Sequence, residues 1–252
     1  MKVNNNILNL YKSERTILLI IAYVTMLIDH AGYFLWPLYN HINNAYIYYT
    51  VFRLIGRFGF PLFCLFLVEG YFTTRSKLKY LIYLCIFAII SEIPFNLAMN
   101  KTIFDLTHQS VMLELLIGYI LINMVDILCF KHTEVKWYDL CIWLILTAIY
   151  AYVAHLFKCD YREYGIIAIS LIYLLKKLFV VPDCVIIIFA VMPLVFINKN
   201  EAIALFLFPI MLILSLLEQK DVIKSNKFMK ILKYSFYPCH LLLLYLILYI
   251  FN

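Results

Sequence analysis

Arg53 and Arg57 sit four residues apart inside 46–72, a run that is otherwise apolar and interrupted by little besides glycine and Pro61. On a helix that spacing places both guanidinium groups on one face. A charge held in hydrocarbon costs several kcal/mol, so a pair of intramembrane cations marks a working site by default. Asp29 and His30 stand together in the apolar run before this one, and Glu92 stands in the run after it. An imidazole whose second nitrogen is oriented by a carboxylate can take a proton from an amine or a hydroxyl, which is the work of a general base.

The elements that must position these groups are membrane helices. Of 252 residues, 65% are apolar and 14% charged, and the mean hydropathy is +0.90. A soluble domain of this length cannot bury so much apolar surface. No linker, low-complexity tract or internal repeat divides the chain, so 1–252 reads as a single all-α domain, a polytopic membrane helical bundle. At about 20 residues per span, the hydropathy places nine helices at 16–38, 46–72, 78–98, 111–130, 139–157, 164–175, 180–197, 202–217 and 234–251. The first carries Asp29 and His30 and lacks a small-x-small cleavage site, so it is expected to stay as a helix.

Charge sets the expected orientation. The N-terminus, alternate loops 73–77, 131–138, 176–179 and 218–233, and Lys79 together hold 15 of the 21 Lys and Arg residues, whereas the opposite loops hold only Lys101, Lys158, Arg162 and Lys199. That asymmetry puts the N-terminus in the cytoplasm and the chain in the inner membrane as a multi-pass protein. The net charge of +6 follows from the same bias and gives no support for a nucleic-acid partner. The lysines of 218–233 suit membrane lipid or a phosphorylated cofactor. Seven cysteines are scattered without a CxxC pair or a His/Cys ladder. They read as small packing residues, with no metal site.

Depth along the spans, at about 1.5 Å per residue, gathers the ionisable groups into a layer. Asp29 and His30 fall roughly 12–14 Å below the outer end of their helix, Arg53 and Arg57 roughly 10–16 Å, and Glu92 roughly 9 Å. All five share the outer half of the bilayer, where two carboxylates can balance two guanidinium groups. Either Asp29 or Glu92 could orient His30, because adjacent helical residues point about 100° apart. The competing reading is a buried ion-pair network that only fixes helix register. Pro61 would kink the second helix and open space beside Arg57. Glu69 is either solvated at the cytoplasmic end of that helix or part of the site. Tyr237 and His240, with Pro238 in the first turn of the last helix, would line a cytoplasmic entrance, His240 lying roughly 9 Å inside.

Met26-Leu-Ile-Asp29-His30, Arg53-Leu-Ile-Gly-Arg57-Phe-Gly-Phe-Pro61, Val68-Glu69-Gly70, Ser91-Glu92-Ile-Pro94-Phe95, Asp160-Tyr161, Tyr164-Gly165 and Phe236-Tyr237-Pro238-Cys-His240 follow one another along the chain. In this order and spacing they resemble the TraX-type membrane acetylases, a family named for an enzyme that acetylates the N-terminus of pilin, within a wider group of transmembrane acyltransferases. The resemblance implies transfer of acetyl from cytosolic acetyl-CoA to an acceptor at the outer face, a protein N-terminus or a cell-surface glycan. It implies catalytic roles for His30 as base or transient acetyl carrier, Asp29 or Glu92 as its orienter, and Arg53 and Arg57 as oxyanion stabilisers or as holders of an anionic part of a substrate. It implies that Tyr237, His240, Glu69 and Arg57 face the coenzyme, and that Asp160, Tyr161 and Glu163 meet the acceptor from an outer loop. A small transporter or channel using the same Arg/Glu/His layer for substrate or protons is the alternative, against which stands the lack of an inverted repeat. Nearly charge-free sixth to eighth helices would face lipid or a second subunit of a homo-oligomer.

Overall fold

The computed structural model describes the backbone of residues 5–130, 135–216 and 227–251 and the side chains of 16–130, 135–214 and 235–251. The lysines of 218–233 lie outside the described side chains. Among the described residues every element is helical, apart from one isolated bridge between Gln109 and Cys159. In chain order the helices are α1 (Asn5–Phe34), the single turn α2 (Trp36–Tyr39), α3 (Ala45–Gly56), α4 (Gly59–Thr73), α5 (Lys77–Asn100) and α6 (Val111–Leu128). Then come α7 (Trp137–Leu156), α8 (Arg162–Leu178), α9 (Asp183–Leu194), the 3-10 segment Lys199–Phe206, α10 (Leu207–Leu216) and α11 (Lys227–Phe251).

Each segment expected from hydropathy is helical, and five are long and apolar enough to cross a membrane: Thr16–Phe34, Ala45–Thr73, Lys77–Asn100, Val111–Leu128 and Trp137–Leu156. The protein is a membrane helical bundle. α8, α9, α10 and the apolar part of α11 are shorter. Helix α4 is apolar all round and sits at the centre, against α1, α6, α8 and α9, as expected of a helix with no polar face to turn outward. The sixth predicted span is enclosed by other helices, whereas the seventh keeps Val180, Phe189, Met192 and Phe196 exposed. α8 packs on α4, α6, α7 and α9, and Gly165, Ala168 and Ser170 on its buried face let neighbouring backbones come close.

The second predicted span is broken earlier than Pro61. Proline lacks an N–H and its ring collides with the carbonyl four residues back, which here belongs to Arg57. The helix therefore ends at Gly56, and Arg57 and Phe58 turn through tighter bonds to the Leu54 and Ile55 carbonyls before α4 begins. Arg53 thus lies in the last turn of α3 and Arg57 at the joint itself, as the α3 C-cap. Pro238 is not in a first turn either, because α11 begins at Lys227 and the proline lies inside it.

Polar residues collect in two layers at opposite ends of the same helices. One joins the end of α4 to α5, α6, α8 and α9. Asp126 accepts hydrogen bonds from Lys77 Nζ at 2.6 Å, Lys177 Nζ at 2.7 Å, and the Tyr71 and Tyr173 hydroxyls at 2.9 Å. Beside it, Lys176 bridges Glu69 at 3.1 Å and Asp183 at 2.6 Å. The other layer, toward the far ends of α5 and α6, holds the candidate site.

Candidate active site

His30 finds a partner that neither carboxylate provides. Its Nδ1 lies 2.6 Å from Nε2 of His240 on α11. The two rings are parallel within 3°, with centroids 4.9 Å apart. That separation is about the nitrogen-to-nitrogen distance plus two ring radii, so the imidazoles meet edge to edge in one plane, the geometry of a linear hydrogen bond. Proton positions follow from the acceptors. His240 Nδ1 donates to the Phe236 carbonyl at 2.8 Å, and a carbonyl can only accept. With one proton per ring, His240 Nε2 is then the acceptor, His30 Nδ1 the donor, and His30 Nε2 keeps its lone pair.

Asp29 and Glu92 are used elsewhere, which corrects both expected orienters. Asp29 Oδ2 accepts from Arg53 at 2.7 Å. Helix α3 comes this close to α1 because residue 56 is glycine, where a side-chain carbon would run into the Asp29 carboxyl group. Glu92 Oε1 accepts from the Ser110 backbone N–H at 3.1 Å and its hydroxyl at 2.6 Å. It therefore satisfies the first turn of α6, whose own N-cap Ser110 makes no side-chain cap, and places negative charge at that helix's positive end.

Arg57 pairs with a residue absent from the expected layer, Glu201, at 2.6 Å. Glu201 is 1% exposed, and Glu114, also unforeseen, is 0% exposed. Glu114 Oε2 accepts the Tyr161 N–H at 2.8 Å, and its second oxygen packs against Gly165, where a side-chain carbon would collide with it. Tyr161 stacks on Phe60 with centroids 3.7 Å apart. Asp160 lies within electrostatic range of Arg53 and Arg57, and Tyr161 within range of Arg57 and Glu201. Loop residues 160 and 161 thus join the layer. Glu163 is within electrostatic range of Glu114, but its carboxylate bonds His155 at 2.7 Å. Asp29 Oδ1, Arg57 Nε, Glu114 Oε1 and Glu201 Oε2 are buried without a hydrogen-bond partner among the described residues, so the layer retains capacity to bind polar groups.

Of the two missed glutamates, Glu114 was marked in the sequence. Glu114 is an intramembrane carboxylate, three residues into the span expected at 111–130, and Glu201 directly precedes the span expected at 202–217. The depth rule that selected Glu92 reaches Glu114 at a shallower level, but not Glu201, which the expected span boundary leaves in the loop.

A cleft of about 570 Å³ approaches this layer from the opposite end of the bundle. Its mouth is formed by Thr74, Arg75, Ser76 and Lys79, and its walls by α1, α4, α5 and α6. On α11 it reaches Tyr237, whose ring centroid is 6.1 Å from that of His30 and 5.5 Å from that of His240. Ser110 and the Val111 backbone are hydrogen-bond partners of Tyr237. Glu69 lines the cleft too, but it is buried and paired with Lys176, not solvated. His240 is not at the entrance and does not line the cleft; its bond to His30 places it beyond Tyr237.

A family model described as TraX protein matches residues 14–248. A stretch of 76 residues is 36% identical to the probable fimbrial assembly protein FimC, serogroup H1, of Dichelobacter nodosus; it covers 30% of this chain and 28% of that protein. No solved structure matches the chain.

Proposed function

This chain belongs to the TraX family, and on that premise we propose that it is an inner-membrane acetyltransferase. It takes acetyl from cytosolic acetyl-CoA and passes it to an acceptor at the outer face, a protein N-terminus or a surface glycan. The observation that carries this reading is the cleft, which leads from a basic mouth to Tyr237 and, through it, to the paired imidazoles. The volume is that of a small-molecule site, with mostly apolar walls and a few polar groups. The basic loops at the mouth belong on the cytoplasmic side by their charge, with nine helical segments then carrying the chain back and forth across the bilayer. The relative's fimbrial name favours an acceptor displayed at the cell surface.

Bound acetyl-CoA supplies the acetyl group as an activated thioester. His30 Nε2 takes the proton from the acceptor's amine or hydroxyl, and His240 Nε2, by accepting from His30 Nδ1, holds the ring in the tautomer that leaves Nε2 basic. Arg57 retains a donor at Nε beyond its bond to Glu201 and can stabilise an oxyanion. Asp29 holds Arg53, and Glu114 holds the Tyr161 backbone, so the polar wall is positioned by buried carboxylates. Purified protein is expected to bind acetyl-CoA and, in membranes containing the acceptor, to release free coenzyme A thiol, with His30→Ala abolishing release. Folded protein that binds no acetyl-CoA would turn the assignment toward a transporter using the same layer.

A further inference from the structure

Six cations are described at the end of the bundle where the cleft opens, in loop 74–76, at the ends of α5 and α8 and at the N-cap of α7: Arg75, Lys77, Lys79, Lys136, Lys176 and Lys177. Three of them are committed. Lys77 and Lys177 both bind Asp126, and Lys176 is shared by Glu69 and Asp183. Arg75 and Lys79 are exposed and form no ion pair among the described residues, and both of these line the cleft mouth. Of the cations at this end that form no ion pair among the described residues, Arg75 and Lys79 line the cleft that leads toward the imidazole pair, whereas Lys136 lies over the Tyr138 ring and does not.

We infer that Arg75 and Lys79 form a phosphate-recognition site that holds the nucleotide end of the acyl donor while its arm lies in the cleft. This rests on the acetyl-CoA reading and adds which residues select a phosphorylated carrier. The distances agree with the division of labour. The cleft follows α4 from Phe63 to Thr73, ten residues or about 15 Å of helix, between the cationic mouth and Tyr237. An uncharged chain suits the apolar middle, and the one carboxylate there, Glu69, is neutralised by Lys176. The anionic groups of the ligand are left at the mouth, where a guanidinium fork and an ammonium can both reach phosphate oxygens. Ser76 and Thr74 add hydroxyl groups at the same rim.

The test measures binding of coenzyme A, 3′-dephospho-coenzyme A and pantetheine to the full chain in nanodiscs of phosphatidylcholine, for the parent and for Arg75→Gln/Lys79→Gln. The double variant is expected to bind coenzyme A about 10- to 100-fold more weakly and pantetheine unchanged. Arg75→Lys/Lys79→Arg should recover most of the lost affinity, which separates charge from misfolding. If parent and double variant bind coenzyme A equally, the inference is overturned while the donor reading stands. It is also overturned if the variant differs only in nanodiscs containing phosphatidylglycerol, since the cations then serve lipid headgroups. A folded parent that binds neither coenzyme A nor pantetheine overturns the donor reading itself.

Discussion

The chemistry of the layer depends on which nitrogen of His30 is committed. A histidine paired with a carboxylate and a histidine paired with a second imidazole present the same basic Nε2, but the second is held without an added negative charge in a nearly buried place. His30→Ala and His240→Ala are both expected to lower acetyl transfer by about 10²- to 10⁴-fold, the usual worth of a positioned base. His240→Gln, whose amide can still accept from Nδ1, should retain more activity than His240→Ala, and transfer rates in membranes measure the difference. Arg57 and Glu201 make a separate prediction. Replacing Arg57 with Met alone leaves a buried carboxylate unpaired and should cost about 3–5 kcal/mol, read as a lower melting temperature in detergent. Adding Glu201→Gln should restore most of the stability but not the activity.

Among the elements, close approach of α1 and α3 decides whether the layer forms. In Gly56→Ala the new methyl group meets the Asp29 carboxyl group, so α3 must retreat or Asp29 must leave Arg53. Alanine is the better helix former by about 1 kcal/mol, yet overpacking at such a contact costs about 1–3 kcal/mol. Acetyl transfer is expected to fall by more than helix content, which transfer rates and circular dichroism compare directly. At the opposite end, Asp126 ties α5, α6, α4 and α8 together through two lysines and two tyrosines. Asp126→Ala leaves those donors short of an acceptor and should lower the thermal midpoint, by roughly 3 kcal/mol of stability, without touching the imidazole pair.

For the molecule as a whole, the reading requires the cleft mouth and the imidazole layer to face opposite compartments. A membrane-impermeant maleimide should label Lys101→Cys in intact cells and Arg75→Cys only after permeabilisation, each compared with the parent chain. The reverse pattern would aim the cleft at the wrong compartment for a cytosolic donor. Composition and hydropathy alone determined that this is a helical membrane bundle, since so apolar a chain must satisfy its backbone within each segment. The same depth argument located Asp29, His30 and Arg53 in one layer, because depth along a helix is proportional to residue number. Pairing was not legible. Whether His30 meets Asp29, Glu92 or His240 depends on helix rotation and on which distant helix packs alongside, and α11 reaches α1 and α5 across the length of the chain. Likewise Glu69 reads from the sequence as a residue at a helix end, and only the packing of α4 on α8 supplies Lys176 to neutralise it. Periodicity fixes where a side chain sits on its own helix; tertiary packing alone decides what stands opposite, because contacts between distant segments leave no spacing in the sequence to read.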